Sequence, residues 1–164
     1  MYDWSDEHRA IASAVRRFVD ERIRPILDDL EHGDLTPYGV LRDLYRTFGL
    51  DDLARERITR QLARVANDET SDDRVAQDAG DGAAQLLATI ELCRVSPRLV
   101  TSLGVSTGLA AGTILRVGTR AQIERWGRDL ASLDAIGAWA ITEPDSGSDA
   151  LGGMRTTARR DGSG

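Results

Sequence analysis

The sequence predicts a mainly α protein: an N-terminal bundle of about six helices, followed by the first strands of a β domain. Three observations predict it. Apolar residues recur at helical spacing from Ile11 to Leu130. Caps and breakers fall where helices would start and stop. After Asp134 the period changes, and "IGAWAI" (136–141) and "MRTTARR" (154–160) are short runs of strand character. Residues 1–134 are thus read as a helical domain. Residues 135–164 are read as the beginning of a β domain, which this chain does not complete.

The first helix is expected from about Asp6 to Arg24, with Ile11, Val15, Phe18, Val19 and Arg22 on one side. Ser5 suits its N-cap, and Asp6 and Glu7 suit the positive end of its dipole. Pro25 breaks or kinks it. A second helix starts with Thr36 as cap and Pro37 at the first position, turns Leu41, Leu44, Tyr45 and Phe48 inward, and ends at Gly49. Asp51 to Ala66 makes a third, with Leu53, Ile58, Leu62 and Val65 inward. The acidic stretch Asn67 to Gly82 has few apolar side chains and reads as a solvated loop, open to proteolysis. Ala83 to Val95 resumes a helix with Leu86, Leu87, Ile90 and Cys93 on its core side. Ser96 and Pro97 restart the pattern. From Arg98 to about Val117 the chain is small and apolar nearly all round, so a buried central helix is expected, closed by Gly118. Thr119 and Gln122 form a capping box for a last helix with Ile123, Trp126 and Leu130 inward. The final "DGSG" reads as a hairpin turn with no strand after it.

Composition excludes several function classes. The 164 residues carry a formal net charge of -6, which argues against a general nucleic-acid binder. All 21 basic residues are arginine, so lysine chemistry such as a Schiff base is excluded. One cysteine, Cys93, rules out an internal disulfide and points to a reducing, cytoplasmic setting. Its neighbours Ile90 and Leu92 predict a buried, inert thiol. With only His8 and His32 beside it, no transition-metal site is expected. The N-terminus lacks an apolar signal core. The uncharged run Leu99 to Leu115 is short for a membrane span and holds five Ser/Thr residues and three glycines, so no span is expected.

One loop concentrates polar chemistry: "TEPDSGSD", 142–149. Thr142, Ser146 and Ser148 offer hydroxyls, Gly147 permits close backbone approach, and Pro144 stiffens the turn. Glu143 and Asp149 would repel a bare phosphate. On these residues alone the loop fits a neutral polar ligand, or phosphates whose charge is offset elsewhere. It equally fits a surface turn whose side chains bond their own backbone.

The run "AWAITEPDSGSDALGGMRTTARRDG" closely resembles the signature of the acyl-CoA dehydrogenase family, an aromatic residue followed by Thr-Glu-Pro-x-x-Gly-Ser-Asp. Upstream, "SLGVSTGLAAGTILRVGTRAQIERW" resembles that family's long central helix and its continuation, and "WSDEHRAIASAVRRFVDERIRP" its first helix. The likeness covers about two-thirds of the chain. It implies FAD as cofactor and an acyl-CoA thioester as substrate, oxidised by α,β-dehydrogenation. It further implies electron transfer to an electron-transfer flavoprotein and a homo- or hetero-oligomer built through domains beyond this chain. By position, Trp139, Ile141, Thr142, Gly147 and Ser148 match cofactor-binding residues, with Ser148 also matching a contact to the CoA portion. Val105, Thr107 and Ala111 match the acyl-pocket helix, although plain core packing accounts for each equally well.

Two departures accompany the likeness. The acidic stretch 67–82 stands where the family carries a Gly-rich segment with a Tyr-Gly-Gly run. The family's catalytic base is a carboxylate of a C-terminal helical domain absent from this chain, so no residue here is assigned as base, Glu143 included. A related flavin oxidase or monooxygenase shares the same half, and a non-catalytic helical module that pairs with a complete partner is the alternative of another class.

Overall fold

A computed structural model of the chain describes residues 4–66 and 82–162. Residues 67–81, the side chain of Val65 and the last two residues of the "DGSG" turn lie outside them. Helix α1 spans Asp6–Phe18. Its N-cap is Ser5, whose hydroxyl accepts the His8 amide at 3.2 Å. A π turn (Val19–Ile23) and a 3-10 turn around Pro25 (Arg24–Ile26) carry the chain into α2, Leu27–His32. Helix α3 is Tyr38–Thr47, preceded by Pro37, which itself occupies the cap position. The expected Thr36 cap makes no such bond. Gly49 turns the chain with φ +64 and delivers it into α4, Leu50–Ala66. Helix α5 is Gly82–Cys93. The long helix Pro97–Val117 follows in three pieces: α6 (Pro97–Leu103), a π segment (Gly104–Ala111) and α7 (Gly112–Val117). The capping box at Thr119 and Gln122 is present in both halves and opens α8, Arg120–Gln122. A π turn (Ile123–Gly127) and α9 (Arg128–Ala131) complete the bundle.

The main core joins Val15, Phe18, Val19 and Ile23 to Leu30, Val40, Leu41, Leu44, Leu92, Leu99 and Leu133. A smaller one joins Ile58, Leu62 and Ile123, with Ile114, Leu115 and Ala131 against it. Burying each Leu or Ile contributes about 1.5–3 kcal/mol, whereas exposed ion pairs such as Arg9–Asp6 contribute about 0–1. Apolar burial therefore decides the fold.

Four inward faces differ from those expected. On α5 only Leu87 of the expected set is buried. Leu86 and Ile90 are exposed at 51% and 42%, and Cys93 is exposed too. The buried face is rotated onto Leu87, Glu91 and Leu92 because Arg16 of α1 draws the Glu91 carboxylate inward. On α4, Leu53 lies round the helix from the buried Ile58 and Leu62 and points outward, while the half-buried Arg55 bonds Asp51, Asp52 and Asp134. In the last helix Ile123 and Leu130 are buried as expected, but Gly127, four residues on from Ile123, rather than Trp126 lies inside. A side chain at Gly127 would crowd Leu115 and Ile123, while the exposed Trp126 ring is covered by Arg125 at 4.9 Å.

The long helix is the fourth case. By length and composition alone, its 21 residues with mean hydropathy 1.3 suffice to cross a membrane. Rather than being enclosed, it packs through one face: Leu99, Ser106 and Ala111 are buried, while Gly104, Gly108, Leu109 and Val117 are open.

Beyond the bundle no strand occurs among the described residues, so the expected opening of a β domain is unconfirmed. Residues 136–142 and 154–160 lie outside helices and form no ladder. The sole β-type pairing among them is the isolated bridge between Glu143 and Ser146.

Glu91 provides the first prediction. Its buried carboxylate accepts two bonds from Arg16, at 2.9 and 2.6 Å, and one from Arg94 at 2.7 Å. The hydrogen bond from Arg16, then that from Arg94, outweigh desolvation and hold its pKa below the ordinary carboxylate value. A depressed folded pKa stabilises the fold above the unfolded value and ceases to do so as pH falls through the folded one. Equilibrium denaturation should show stability falling with acid, and less steeply in Glu91→Gln. Because Arg16 and Arg94 are half exposed and can rehydrate, Glu91→Ala should cost about 1–3 kcal/mol at neutral pH.

Candidate functional site

The chain leaves the bundle through residues 132–137, and every step is tied down. Leu133 is fully buried in a left-handed conformation, φ 63, which costs a bulky residue about 1–3 kcal/mol. Arg42 of α3 holds it there, its Nε donating to the Leu133 carbonyl at 2.7 Å. Asp134 accepts from Arg55 at 2.6 Å and from the Ser132 hydroxyl at 2.8 Å. Those two bonds, Arg55 first, depress its pKa despite desolvation. The Ala135 amide donates to the Asp129 carbonyl. The Gly137 amide donates to the Ser106 hydroxyl at 3.0 Å, and a Cβ at Gly137 would overlap Ala110. The segment 135–141 thus starts flat against the helix that bears Val105, Thr107 and Ala111, and it turns tightly where the Ile141 amide donates to the Trp139 carbonyl at 3.1 Å.

The segment ends in the polar loop. Glu143 and Ser146 exchange both backbone bonds, at 2.8 and 3.1 Å, around Pro144–Asp145. The buried Ser146 hydroxyl donates to the Asp149 carbonyl at 2.8 Å. The Asp149 carboxylate accepts the Gly152 amide and caps a single turn, α10, Ala150–Gly153. The Glu143 carboxylate accepts the amides of Arg155 at 2.8 Å and Thr156 at 2.7 Å. Bonding from the Thr156 side chain, then from the Arg155 and Thr156 amides, keeps its pKa below the ordinary carboxylate value.

The site residues expected from the sequence divide into two groups. Trp139 (41% exposed), Thr142, Gly147 and Ser148 lie on the open side of the segment and loop, with Ile141 half-buried between them. Among the described residues the Thr142 and Ser148 hydroxyls have no partner. A Cβ at Gly147 would make only ordinary contact with the Thr142 methyl, so the chain's own packing does not require glycine there. The helix residues are less open. Ala111 is fully buried, Val105 is half-buried, and the Thr107 hydroxyl donates to the Leu103 carbonyl at 2.9 Å. Tyr45 also hydrogen-bonds Thr107, which partly offsets the rise that burial imposes on its phenol pKa. Two surface depressions lie elsewhere, one of about 290 Å³ at Thr59, Arg120 and Arg128, the other of about 360 Å³ at Trp4 and Leu86.

Sequence reasoning missed Ser106, Ser146 and the Glu143 clasp. The Ser146 signal was present in the motif, but the Ser106–Gly137 and Glu143–Thr156 pairs have no local pattern that would reveal them.

Comparison with known proteins adds the following. The family model described as acyl-CoA dehydrogenase, N-terminal domain, matches residues 5–134. An acyl-CoA dehydrogenase of Bacillus subtilis is 30% identical over 94% of this chain and 36% of its own length. The caffeyl-CoA reductase-Etf complex subunit CarC of Acetobacterium woodii is 30% identical over 94% of this chain and 36% of its own. The mitochondrial short-chain specific acyl-CoA dehydrogenase of Mus musculus is 28% identical over 98% and 37%. The chain therefore spans little more than a third of the length of these relatives. No solved structure matches significantly.

The exit geometry is testable by itself. Gly137→Ala should destabilise the bundle by about 1–3 kcal/mol through overpacking against Ala110. Ser106→Ala should cost a similar amount, about 1–3 kcal/mol, by leaving the Gly137 amide unpaired. Urea unfolding midpoints measure both.

Proposed function

The chain belongs to the acyl-CoA dehydrogenase family, and from that premise we propose that it forms the N-terminal part of an FAD-dependent enzyme that α,β-dehydrogenates an acyl-CoA thioester. The observation that carries the reading is the division of labour in the 142–149 loop. Glu143, Ser146 and Asp149 are satisfied by the chain's own backbone between residues 149 and 156, while Thr142, Gly147 and Ser148 are exposed and the Thr142 and Ser148 hydroxyls are unspent among the described residues. The family match, which ends at residue 134, supports a domain boundary there.

The residues fit a flavin nucleotide. Two unpartnered hydroxyls and an open glycine backbone supply neutral donors and acceptors. Of the loop's three acids, Glu143 and Asp149 are engaged by backbone amides, whereas Asp145 is about 80% exposed and pairs only weakly with Arg155. Trp139, Ile141 and Thr142 would hold the ring, and Gly147 and Ser148 the ribityl-phosphate portion, with Ser148 also reaching the CoA portion of the substrate. The flavin, when bound, supplies the acceptor for the β-hydrogen. The chain's own part is to bind and orient. Thr142 is held on a segment pinned to the bundle, so its hydroxyl meets a ligand with little ordering cost. Val105, on the long helix, flanks the thioester's acyl chain in this reading. Glu143 abstracts no proton, because its carboxylate is occupied and its basicity is reduced. The α-proton goes to a carboxylate of a further domain. The name of the Acetobacterium woodii relative, a subunit of an Etf complex, supports an electron-transfer flavoprotein as the electron acceptor.

Anaerobic addition of acyl-CoA to the flavin-loaded protein, expressed from its complete reading frame, should bleach the oxidised-flavin absorbance and yield enoyl-CoA. Thr142→Ala and Ser148→Ala should each weaken flavin or thioester binding about threefold to tenfold, the loss of one hydrogen bond of ~0.5–1.5 kcal/mol. A flavoprotein that no acyl-CoA reduces would overturn the reading.

A further inference from the structure

We propose that Glu143 is a positioning residue: its carboxylate clasps the two ends of the 143–156 loop and thereby fixes Thr142, Gly147 and Ser148 for ligand binding. This role deepens the flavin reading above and rests on it. The two carboxylate oxygens are divided, Oε1 accepting from the Thr156 amide at 2.7 Å and Oε2 from the Arg155 amide at 2.8 Å. Residues 144–154 are therefore a closed excursion whose ends meet at one side chain, as in a compact Ω-type loop. Inside it, the Glu143–Ser146 exchange and the Ser146–Asp149 and Asp149–Gly152 bonds run in series from the same residue. Among the described residues nothing else ties the far end strongly. Residues 154–160 lie outside helices and have no strand partner among the described residues. The Arg155–Asp145 ion pair, at 3.9 Å between side chains about 80% exposed, contributes little.

The chemistry specifies a carboxylate. Two adjacent N–H donors require two acceptor oxygens. Glutamine offers one oxygen and one amide that opposes the second donor, and alanine offers none. The clasp should thus fail in grades, with glutamine partly restoring what alanine loses. Because Glu143 touches no reacting atom in this reading, its loss should act on ligand affinity and leave the chemical step nearly alone.

Amide exchange on the chain itself tests the clasp without any flavin. Glu143→Ala should speed exchange at Arg155 and Thr156 by on the order of tenfold or more, with Glu143→Gln intermediate and helical circular dichroism unchanged. In the flavin-loaded protein from the complete reading frame, fluorescence titration should show flavin affinity weakened by about tenfold in Glu143→Ala and less in Glu143→Gln, two charge-assisted bonds being lost against one. The rate of flavin reduction at saturation should stay within about tenfold, below the 10² to 10⁴ loss typical of a missing general base. Unchanged exchange in Glu143→Ala would sink the clasp. Faster exchange with unchanged flavin affinity would sink the positioning role. Wild-type protein that binds no flavin would defeat the functional reading instead, while the exchange result still decides the clasp.

Discussion

The contact on which the site's placement depends is the flat approach of Gly137 to the long helix. A side chain there would collide with Ala110, and the same backbone unit sends its amide to Ser106. Both requirements are met only if residue 137 is a glycine and the facing helix positions are small. This explains why a helix that is otherwise good membrane-type or core material carries Ser106, Ala110 and Ala111 along its inner line. Leu133 reinforces the geometry from the other side. Its left-handed backbone is tolerated because complete burial and the Arg42 bond outweigh a strain of about 1–3 kcal/mol. The exit from the bundle is therefore overdetermined.

Much of the helical architecture was legible because its signals are local. Ser5, Gly49 at φ +64 and the Thr119–Gln122 box do in space what their spacing implies. What failed was the assignment of faces, for a common reason. Hydropathy counting places apolar residues inward, but Glu91 takes an inner position and Arg55 a half-buried one through partners 75 and 79 residues away. No periodicity encodes such pairs. The last helix shows a second failure: Ile123 and Leu130 are inward as expected, but Gly127, four residues after Ile123, fills the place expected of Trp126, and spacing alone does not choose between i+3 and i+4. The expected strands fail differently. Their sequence has β character, but a ladder needs a second strand, and none lies among the described residues.

For the loop the motif was legible, whereas its internal division was not. Composition alone left open whether the serines and acids serve a ligand or their own backbone, and the structure shows which of them bond the chain itself. Ser146 is buried and spent, while Ser148, two residues on, is exposed and free of partners among the described residues. The acids ease only part of the electrostatic difficulty the sequence raised. Glu143, which accepts two amide bonds, has much of its field absorbed by those dipoles, whereas Asp145 stays about 80% exposed.

The two ends of the loop are held very unequally, and the asymmetry carries a consequence. The entering end inherits the rigidity of the bundle through Gly137, Asp134 and Leu133, at a cost already met by apolar packing. The leaving end depends on one exposed carboxylate whose bonds compete with water. Loss of that one carboxylate would therefore free the leaving end while the entering end kept its place.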